Sequence, residues 1–405
     1  MDSNTALCEI IASRIAANPQ GRITFAEYME MVLYHPEHGY YSTKAVNLGK
    51  KGDFFTSVHL GGDFGELLAE QFVQMWEILG RPKPFTLVEM GAGQGILAGD
   101  ILNYLQREYA DFYASLEYVI VEKSLTLRQE QQQRLQEFPL DWCDLEEIPP
   151  NSITGCFFSN ELVDALPVHQ FIINDALLKE VYVTTPMASQ TAFEPLENQD
   201  GQFVEDTEKS EFLEVINEPS TPELVKYFDL VGIDIQSLNS CPYRSEINLA
   251  ALDWLSIVAD RLQRGYVLTI DYGYPAHRYY NPRRQQGTLQ CYYQHRHHNN
   301  PYINIGRQDI TAHVDFTALE KWGVFSQLQK VGFTQQGLFL MALGLGSRIA
   351  NLSYQQQSIS QMLQRRDALH QLIDPMGLGG FGVLVQSKGL FEAEISQALN
   401  GFNVP

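Results

Sequence analysis

The sequence predicts an α/β protein whose mainly parallel sheet carries helices on both faces. From residue 84 onward, short apolar runs typical of buried strands alternate with helical segments, as in successive β-α-β units. A region of helical periodicity precedes this alternation, and a polar, acidic stretch interrupts it. Hydrophobic residues make up 44% of the 405 residues, which is enough to fill the core of such a fold.

These changes in pattern divide the chain into four segments. We expect an N-terminal helical cap, the first part of the core, an inserted subdomain and the second part of the core, over residues 1–80, 81–174, 175–245 and 246–405. In the cap, apolar residues recur at helical spacing over 5–33, with a break at Asn18-Pro19, and again over 63–79.

Each element of the core is predicted from its local pattern. Four apolar runs are predicted to be buried strands: Phe85–Met90, Tyr118–Val121, Cys156–Ser159 and Tyr266–Ile270. Helices are expected near 95–109, 124–137 and 245–264.

For the other segments of the chain, the sequence contains fewer indications of secondary structure. His169–Asn174 and Leu178–Val183 should pair as a hairpin, and a long polar loop should run from Asp271 to about residue 315. Gln-rich patches at 129–133 and 355–364 are predicted to lie on helix surfaces.

Charge and cysteine usage exclude several classes of protein. The 28 Lys and Arg against 49 Asp and Glu give a net charge of −21, which repels phosphate backbones, so we expect no nucleic-acid partner. Five scattered cysteines without a CxxC pair argue against a disulfide framework and a zinc finger.

The N-terminal residues do not have the pattern of a targeting segment, and no apolar run is long enough to span a membrane. We therefore expect a cytoplasmic protein without membrane insertion.

The sharpest local signal is a glycine-rich turn between a predicted strand and a helix. Gly91, Gly93 and Gly95 follow the strand that contains Glu89. Glycines let the backbone approach a ligand closely, and the helix N-terminus supplies free N–H groups. The dinucleotide fingerprint is GxGxxG, whereas this spacing is GxGxG with Ile96 next. The turn therefore favours S-adenosyl-L-methionine, whose amino group could lie near Glu89; a tight turn without a ligand is the alternative.

Two further acids extend this signal. Glu122 follows the strand Tyr118–Val121, where a carboxylate could accept both ribose hydroxyls of the cofactor. Alternatively, Glu122 binds no ligand and its negative charge only stabilises the N-terminus of the next helix. Asp144 follows a short predicted strand at Pro139–Trp142 and could accept a hydrogen bond from an adenine amino group.

A candidate acceptor site follows the strand Cys156–Ser159. Asn160, Glu161 and Asp164 lie there, at the carboxyl edge where α/β sheets bind ligands. In a helical turn over 161–164 the two carboxylates would share one side, where they could bind a guanidinium and polarise it toward one nitrogen. The alternative is that Asn160 caps a short helix and the acids are solvated.

Histidines are dense in the polar loop, but none has the spacing of metal ligands. Neither HExxH nor CxxC occurs, so we expect no metal. His313, between Asp309 and Asp315, is a catalytic candidate as an acid–base or orienting group; a hydrogen-bonded structural histidine is the alternative.

Together these segments resemble the MidA-like S-adenosylmethionine-dependent methyltransferase family, which includes the mitochondrial complex I assembly factor that methylates an arginine. The matching stretches cover residues 21 to about 345 in order: HPEHGYYS, GDFFTS with FGELLAEQF, LVEMGAGQGILAGDIL, SNELVDALPVHQF, TIDYGY, and GTLQCYYQHR with DITAHVDFTAL. The resemblance implies a class I methyltransferase core, Rossmann-like with a mainly parallel seven-stranded sheet. It also implies cofactor contacts at Glu89, Gly91, Gly93, Gly95 and Glu122, and an acceptor cluster at Asn160, Glu161 and Asp164.

The expected function is methyl transfer from S-adenosyl-L-methionine to an arginine of a partner protein. The resemblance makes a subunit of a respiratory NADH dehydrogenase complex the natural candidate. Catalysis would rest on positioning and exclusion of water, with the sulfonium enclosed by the aromatic residues Tyr40, Tyr41, Phe54 and Phe55. Two alternatives stay open: an assembly or interaction protein with little or no turnover, and an NAD-dependent oxidoreductase, which Ile96 disfavours.

Overall fold

The computed structural model describes residues 3–43, 56–188, 211–238, 242–294, 296–354 and 358–404. The α-helices are α1 (Thr5–Ala17), α2 (Phe25–Tyr34), α3 (Asp63–Ile78), α4 (Ile96–Glu108), α5 (Ala110–Tyr113), α6 (Leu125–Arg134), α7 (Glu223–Val231), α8 (Leu249–Arg261), α9 (Ala276–Tyr279), α10 (Phe316–Phe325), α11 (Gln336–Ala342), α12 (Leu345–Ala350), α13 (Ile359–Ile373) and α14 (Glu392–Ile395). The strands are β1 (Ile23–Thr24), β2 (Phe85–Met90), β3 (Leu116–Val121), β4 (Leu140–Cys143), β5 (Ile153–Asn160), β6 (His169–Asn174), β7 (Leu177–Thr184), β8 (Leu213–Asn217), β9 (Tyr243–Ile247), β10 (Leu262–Asp271), β11 (Gly273–Tyr274), β12 (Gln290–Tyr293), β13 (Arg296–His298), β14 (Asp309–Thr311), β15 (Val314–Asp315), β16 (Gln329–Gln335) and β17 (Gly382–Lys388). Among the helices of these described ranges, none is long and apolar enough to cross a membrane.

Contacts divide the chain into two compact units. Unit 1 comprises Met1–Asn47, Ala165–Ala250 and Ala276–Ala312, and unit 2 comprises Leu48–Asp164, Ala251–Pro275 and His313–Pro405. This division differs from the four predicted segments: helix α3, predicted as part of the cap, belongs to unit 2, and the predicted insertion shares unit 1 with the N-terminal helices. The physical reason is pairing over a long sequence distance, since Ile23 of β1 lies opposite Val183 of β7.

Unit 2 contains a seven-stranded sheet in the order β16-β17-β10-β5-β2-β3-β4. Strands β10, β5, β2, β3 and β4 run parallel, and β17 is antiparallel to both of its neighbours. The predicted α/β class and mainly parallel sheet are therefore confirmed. The chain passes from β2 to β3 and β4 and then returns to β5 on the other side of β2, and open α/β sheets bind ligands at the carboxyl ends of strands beside such a reversal.

The core of unit 2 is apolar because helices pack on its sheet and exclude water from it. Strand β2 is buried at every position. Phe72 of α3 packs on Phe158 of β5 with ring centroids 4.9 Å apart, and Phe85 and Trp76 both pack on Phe112. Burial of one such side chain stabilises the fold by about 1.5–3 kcal/mol.

Unit 1 is built on an antiparallel sheet in the order β1-β7-β6-β9, with β8 paired to β7. The predicted hairpin is confirmed as β6 and β7. Its two turn residues, Asp175 and Ala176, have φ of 51° and 60°, as a two-residue type I′ connection requires. Apolar residues of α1 and α2, including Leu7, Ile11 and Tyr28, form the core of this unit.

Two predicted elements are wrong in extent. The helix predicted over 245–264 is strand β9 up to Ile247 and helix α8 only between Leu249 and Arg261. The residues around 245 pair with β6 as strand β9, and this pairing overrides the helical prediction there. The segment predicted as a long polar loop contains a three-stranded sheet of β12, β13 and β14.

Candidate active site

The glycine-rich turn joins β2 to α4 at the carboxyl edge of the unit 2 sheet. Gly91, Gly93 and Gly95 have φ of 70°, 53° and 73°, a conformation that is costly for residues with a Cβ. A Cβ on Gly95 would also lie 3.1 Å from Cδ1 of Leu135. Helix α4 begins without a side-chain cap, so its first N–H groups can serve a ligand.

Two buried carboxylates lie at the ends of β2 and β3, beside this turn. Glu89 is 3% exposed and accepts a hydrogen bond from the Tyr118 hydroxyl at 2.6 Å. Burial raises the pKa of Glu89 to about 7; the Tyr118 hydrogen bond opposes this, and repulsion by Glu122 adds to it. Burial also raises the pKa of Glu122. Buried carboxylates with raised pKa values suit a ligand that brings a positive group and hydroxyl donors.

Hydrogen bonds fix the orientation of Glu122. Its Oε1 accepts the backbone N–H of Ser124 at 2.9 Å, and its Oε2 accepts Nε2 of Gln131 at 3.1 Å. Gln131 is 0% exposed, so the prediction that the Gln-rich patch at 129–133 lies on the helix surface is wrong for this residue. The residues next to Gln131 in the chain are polar, but Leu127 and Leu135, one helical turn away in each direction, are apolar and buried, and this spacing is the signal that could have indicated its burial.

Asp144 is engaged by a cation of the same unit. Nη2 of Arg128 donates to Oδ1 of Asp144 at 2.8 Å and to the backbone oxygen of Glu122 at 2.7 Å. The Asp144 side chain is 56% exposed, and its backbone N–H donates to Glu147 at the start of a 3-10 turn. Its contact with an adenine amino group stays a prediction. One of its carboxylate oxygens already accepts a hydrogen bond from Arg128.

The candidate acceptor residues are positioned differently from the prediction. Glu161 has a φ of 54°, and its N–H donates to the Ile270 oxygen at 2.9 Å, so it continues the edge of the sheet. The 3-10 turn that carries Asp164 begins only at Val163, so the predicted helical turn over 161–164 is wrong. The two carboxylates still lie close enough for Asp164 to raise the pKa of Glu161, after burial, to about 8.

Asp271 is a member of this cluster to which the sequence reasoning assigned no role. Its Oδ2 accepts the N–H groups of Val163 at 2.9 Å and Asp164 at 3.2 Å, and its Oδ1 accepts the N–H of Tyr272 at 2.9 Å. Burial and then repulsion by Glu161 raise the pKa of Asp271 to about 8, against these three donors. The available signal was its place at the end of β10, the neighbour of β5.

Polar atoms without a partner accompany the carboxylates. Oδ1 of Asn160 and Oγ of Ser159 are buried and have no hydrogen-bond partner among the described residues. Asn160 donates its amide to Oε1 of Glu161 at 3.2 Å. Because buried polar atoms are normally satisfied, these two oxygens indicate a place for a polar ligand.

The other predicted residues are placed as follows. The His313 ring lies edge-on to those of Tyr272 and Tyr274, at centroid distances of 4.9 and 5.2 Å. Tyr40 is buried in the core of unit 1, where the Tyr41 hydroxyl donates to Asp309. Phe54 and Phe55 lie outside the described residues. Within the described part of the chain, no group of three His, Cys, Asp or Glu side chains could hold a metal ion.

Comparison with known proteins finds a family and individual relatives that are all described as methyltransferases. The sequence model of a family described as "Putative S-adenosyl-L-methionine-dependent methyltransferase" matches residues 67–334. The mitochondrial protein arginine methyltransferase NDUFAF7 homolog of Drosophila melanogaster is 29% identical over 404 residues, covering 93% of this chain and 84% of the relative. The mitochondrial protein arginine methyltransferase NDUFAF7 of Homo sapiens is 27% identical over 383 residues, covering 89% and 78%.

Solved structures from Burkholderia thailandensis are similar over almost the whole chain. One, bound to S-adenosyl-homocysteine, has 29% identity and a TM-score of 0.80 and covers 98% of this chain and 94% of its own. A native structure has 31% identity and a TM-score of 0.78, with the same coverage. The curated relatives named above are mitochondrial, and they contradict the predicted cytoplasmic location.

Proposed function

Since this chain belongs to the S-adenosyl-L-methionine-dependent methyltransferase family, we propose that it methylates an arginine side chain of a partner protein. The observation that carries the proposal is the cluster of Glu161, Asp164 and Asp271 at the carboxyl edge of the sheet. The names of the relatives support it, since they are protein arginine methyltransferases.

The residues beside the glycine-rich turn fit the cofactor. When bound, S-adenosyl-L-methionine supplies an electrophilic methyl group on a positively charged sulfur. Gly91, Gly93 and Gly95 would let the backbone approach it, and Glu122 would accept the ribose hydroxyls. An ionised carboxylate has about four acceptor positions, and the contacts of Glu122 with Ser124 and Gln131 use two of them.

Glu89 would face the amino group of the cofactor. Burial raises its pKa and no cation of the described residues opposes this, so an ammonium group would supply the missing positive charge. The unpartnered oxygen of Asn160 would be a further acceptor at the same edge of the sheet.

The acceptor cluster suits a guanidinium because of its charge and its number of acceptors. Burial raises the pKa values of Glu161 and Asp271 to about 8, with repulsion by Asp164 adding to the shift of Glu161 and repulsion by Glu161 adding to that of Asp271. A cation beside them would reverse that shift. A guanidinium offers five N–H donors in one plane, which match carboxylates better than an ammonium does. Glu161 and Asp164 would bind the group, and Asp271 would hold the turn that carries Asp164.

The reaction requires a nitrogen lone pair and a destination for one proton. The reacting nitrogen would form its bond to the methyl carbon as the sulfur–methyl bond breaks and its electron pair stays on the sulfur of the departing S-adenosyl-homocysteine. The nitrogen would also give up a proton, so that the methylated arginine keeps a single positive charge. Glu161 would accept this proton, because the guanidinium beside it would favour the ionised form of the carboxylate, which is the form that can act as a base. The His313 ring, which contacts the rings of Tyr272 and Tyr274, would orient the acceptor arginine or relay the proton.

The partner that we propose is an arginine-bearing subunit of a respiratory NADH dehydrogenase complex. The support is the family resemblance together with the mitochondrial location of the named relatives. A net charge of −21 would attract a basic segment of such a subunit over several ångströms, and this attraction would weaken with salt.

The test compares Glu161→Gln with the wild-type protein on purified NADH dehydrogenase complex. We expect S-adenosyl-homocysteine formation to fall at least about 100-fold, roughly the contribution of one positioned acid–base group, while calorimetry finds cofactor affinity unchanged. Glu146→Gln, which neutralises an exposed acid of the same unit, should keep full activity. Full activity of Glu161→Gln would remove Glu161 from the scheme, and a wild-type protein that binds cofactor without turnover would favour the assembly-protein alternative.

A further inference from the structure

Gln131 is a fully buried amide in a helix whose other glutamines are exposed. Helix α6 reads LTLRQEQQQR, and within it Gln129, Gln132 and Gln133 are exposed while Gln131 is 0% exposed. Burying a primary amide without partners costs several kcal/mol, so such a residue requires a set of matched hydrogen bonds.

Three hydrogen bonds satisfy this amide, and each goes to a different element. Nε2 donates to the backbone oxygen of Gly93 at 2.8 Å and to Oε2 of Glu122 at 3.1 Å. Oε1 accepts the indole N–H of Trp142, from strand β4, at 3.1 Å. An indole can only donate and a carbonyl oxygen can only accept, so these partners permit a single orientation of the amide.

We propose that Gln131 is a positioning residue for the cofactor, which locks the Glu122 carboxylate to the glycine-rich turn in the arrangement that binds. The amide joins the two parts of the cofactor site, the turn after β2 and the acid after β3, and Trp142 fixes the amide from the third side. This inference rests on the cofactor role proposed for Glu122 and is independent of arginine as the acceptor.

The physical consequence is preorganisation of a charged acceptor. Without Gln131, the Ser124 N–H is the one donor to the Glu122 carboxylate that remains among the described residues, and the side chain would gain rotamer freedom that a ligand must remove. The Gly93 oxygen would also lose its bond, although the backbone there is held by the left-handed conformation of the glycine. A hydrogen bond to a charged group is strong enough for its loss to change ligand affinity roughly tenfold or more.

The test measures affinity for S-adenosyl-homocysteine by calorimetry, well below the unfolding temperature. Gln131→Leu should weaken binding roughly tenfold or more, and the control Gln132→Leu, on the exposed face of the same helix, should bind within about twofold of wild type. In a Glu122→Gln background, Gln131→Leu should have little further effect, because the two residues act through one contact. Unchanged affinity of Gln131→Leu, or an equal loss in both backgrounds, would overturn the proposal.

Two further readouts separate positioning from a general loss of stability. The indole N–H resonance of Trp142, assigned through Trp142→Phe, should shift in Gln131→Leu and not in Gln132→Leu. Gln131→Glu keeps an acceptor for Trp142 but repels Glu122, so its affinity relative to wild type should recover as pH falls; a constant ratio would contradict the proposal. If Gln131→Leu does not fold, the pH dependence of the affinity of Gln131→Glu still tests the proposal.

Discussion

Oδ2 of Asp271 accepts a hydrogen bond from the backbone N–H of Val163 at 2.9 Å, across 108 residues of sequence. The same oxygen accepts the N–H of Asp164, so a fully buried carboxylate at the end of β10 holds the turn after β5. The proposed acceptor cluster is therefore organised by the ends of the neighbouring strands β5 and β10, which hold the 3-10 turn that carries Asp164.

The first prediction concerns Asp271→Asn. The amide still offers an acceptor to Val163 but removes a negative charge beside the guanidinium, so kcat/KM for the protein substrate should fall at least about tenfold. Cofactor affinity, measured by calorimetry, should stay within about twofold. Asp253→Asn, the same change at an exposed position of α8, is the control and should behave as wild type.

The second prediction is that the protein loses stability as pH rises toward 8. The pKa values of Glu161 and Asp271 in the folded protein, about 8, lie above those of the unfolded chain, about 4. Their contribution is fully present below pH 4, declines as pH rises and is lost once pH passes 8, because the unfolded chain releases these protons near pH 4 and the folded protein only near pH 8. Denaturant titrations from pH 6 to 9 should show this decline in the wild type and a shallower one in Asp271→Asn. Parallel curves for the two proteins would contradict the raised pKa values.

A third prediction links cofactor binding to pH through Glu89. Its pKa is raised to about 7, so below pH 7 the free protein holds a proton there that an ammonium group must displace. Affinity for S-adenosyl-L-methionine should therefore fall as pH decreases from 8 to 6, by at most about tenfold per pH unit. Glu89→Gln should bind more weakly at pH 8 and with little dependence on pH, whereas Glu146→Gln should follow the wild-type curve. An identical slope in Glu89→Gln would assign the titration to another group.

The fourth prediction compares two glycines that face one leucine. Gly95 has a φ of 73°, and its Cβ would lie 3.1 Å from Leu135, so Gly95→Ala should lower the free energy of unfolding by roughly 1–2 kcal/mol and weaken cofactor binding. Gly99 lies within α4 and would place its Cβ at 3.4 Å from the same leucine, an ordinary contact. Gly99→Ala should stabilise the protein by about 0.4–1 kcal/mol and leave binding intact, as urea titration and calorimetry can check. A Gly95→Ala variant as stable as wild type would show that the turn tolerates a side chain.

Much of the fold was predictable because its signals are local. The strands around Glu89, Glu122 and Asn160 are short apolar runs, and the glycines mark the turn by residue type alone. Asp271 and Gln131 were missed for a different reason: each acts through partners distant in sequence. The run of glutamines also masks the helical spacing of Gln131 with the apolar residues Leu127 and Leu135. The division into units was likewise missed, because β1 and β7 meet across about 160 residues.

The helical turn predicted over 161–164 failed because local spacing competes with sheet pairing. The Glu161 N–H bonds to Ile270 of β10, which extends the pairing of β5 beyond Asn160 and forces a left-handed backbone at Glu161. Residue spacing predicted that Glu161 and Asp164 would be neighbours, and they are, although the backbone reaches that arrangement by another route.

Methyl transfer to arginine is tested most directly by tandem mass spectrometry of purified NADH dehydrogenase complex after incubation with this protein and S-adenosyl-L-methionine that carries a deuterated methyl group. We expect the deuterated methyl on an arginine of one subunit, present with wild-type protein and Glu146→Gln and absent with Glu161→Gln. Label on a different residue type, or no label from a protein shown to bind the cofactor, would contradict it.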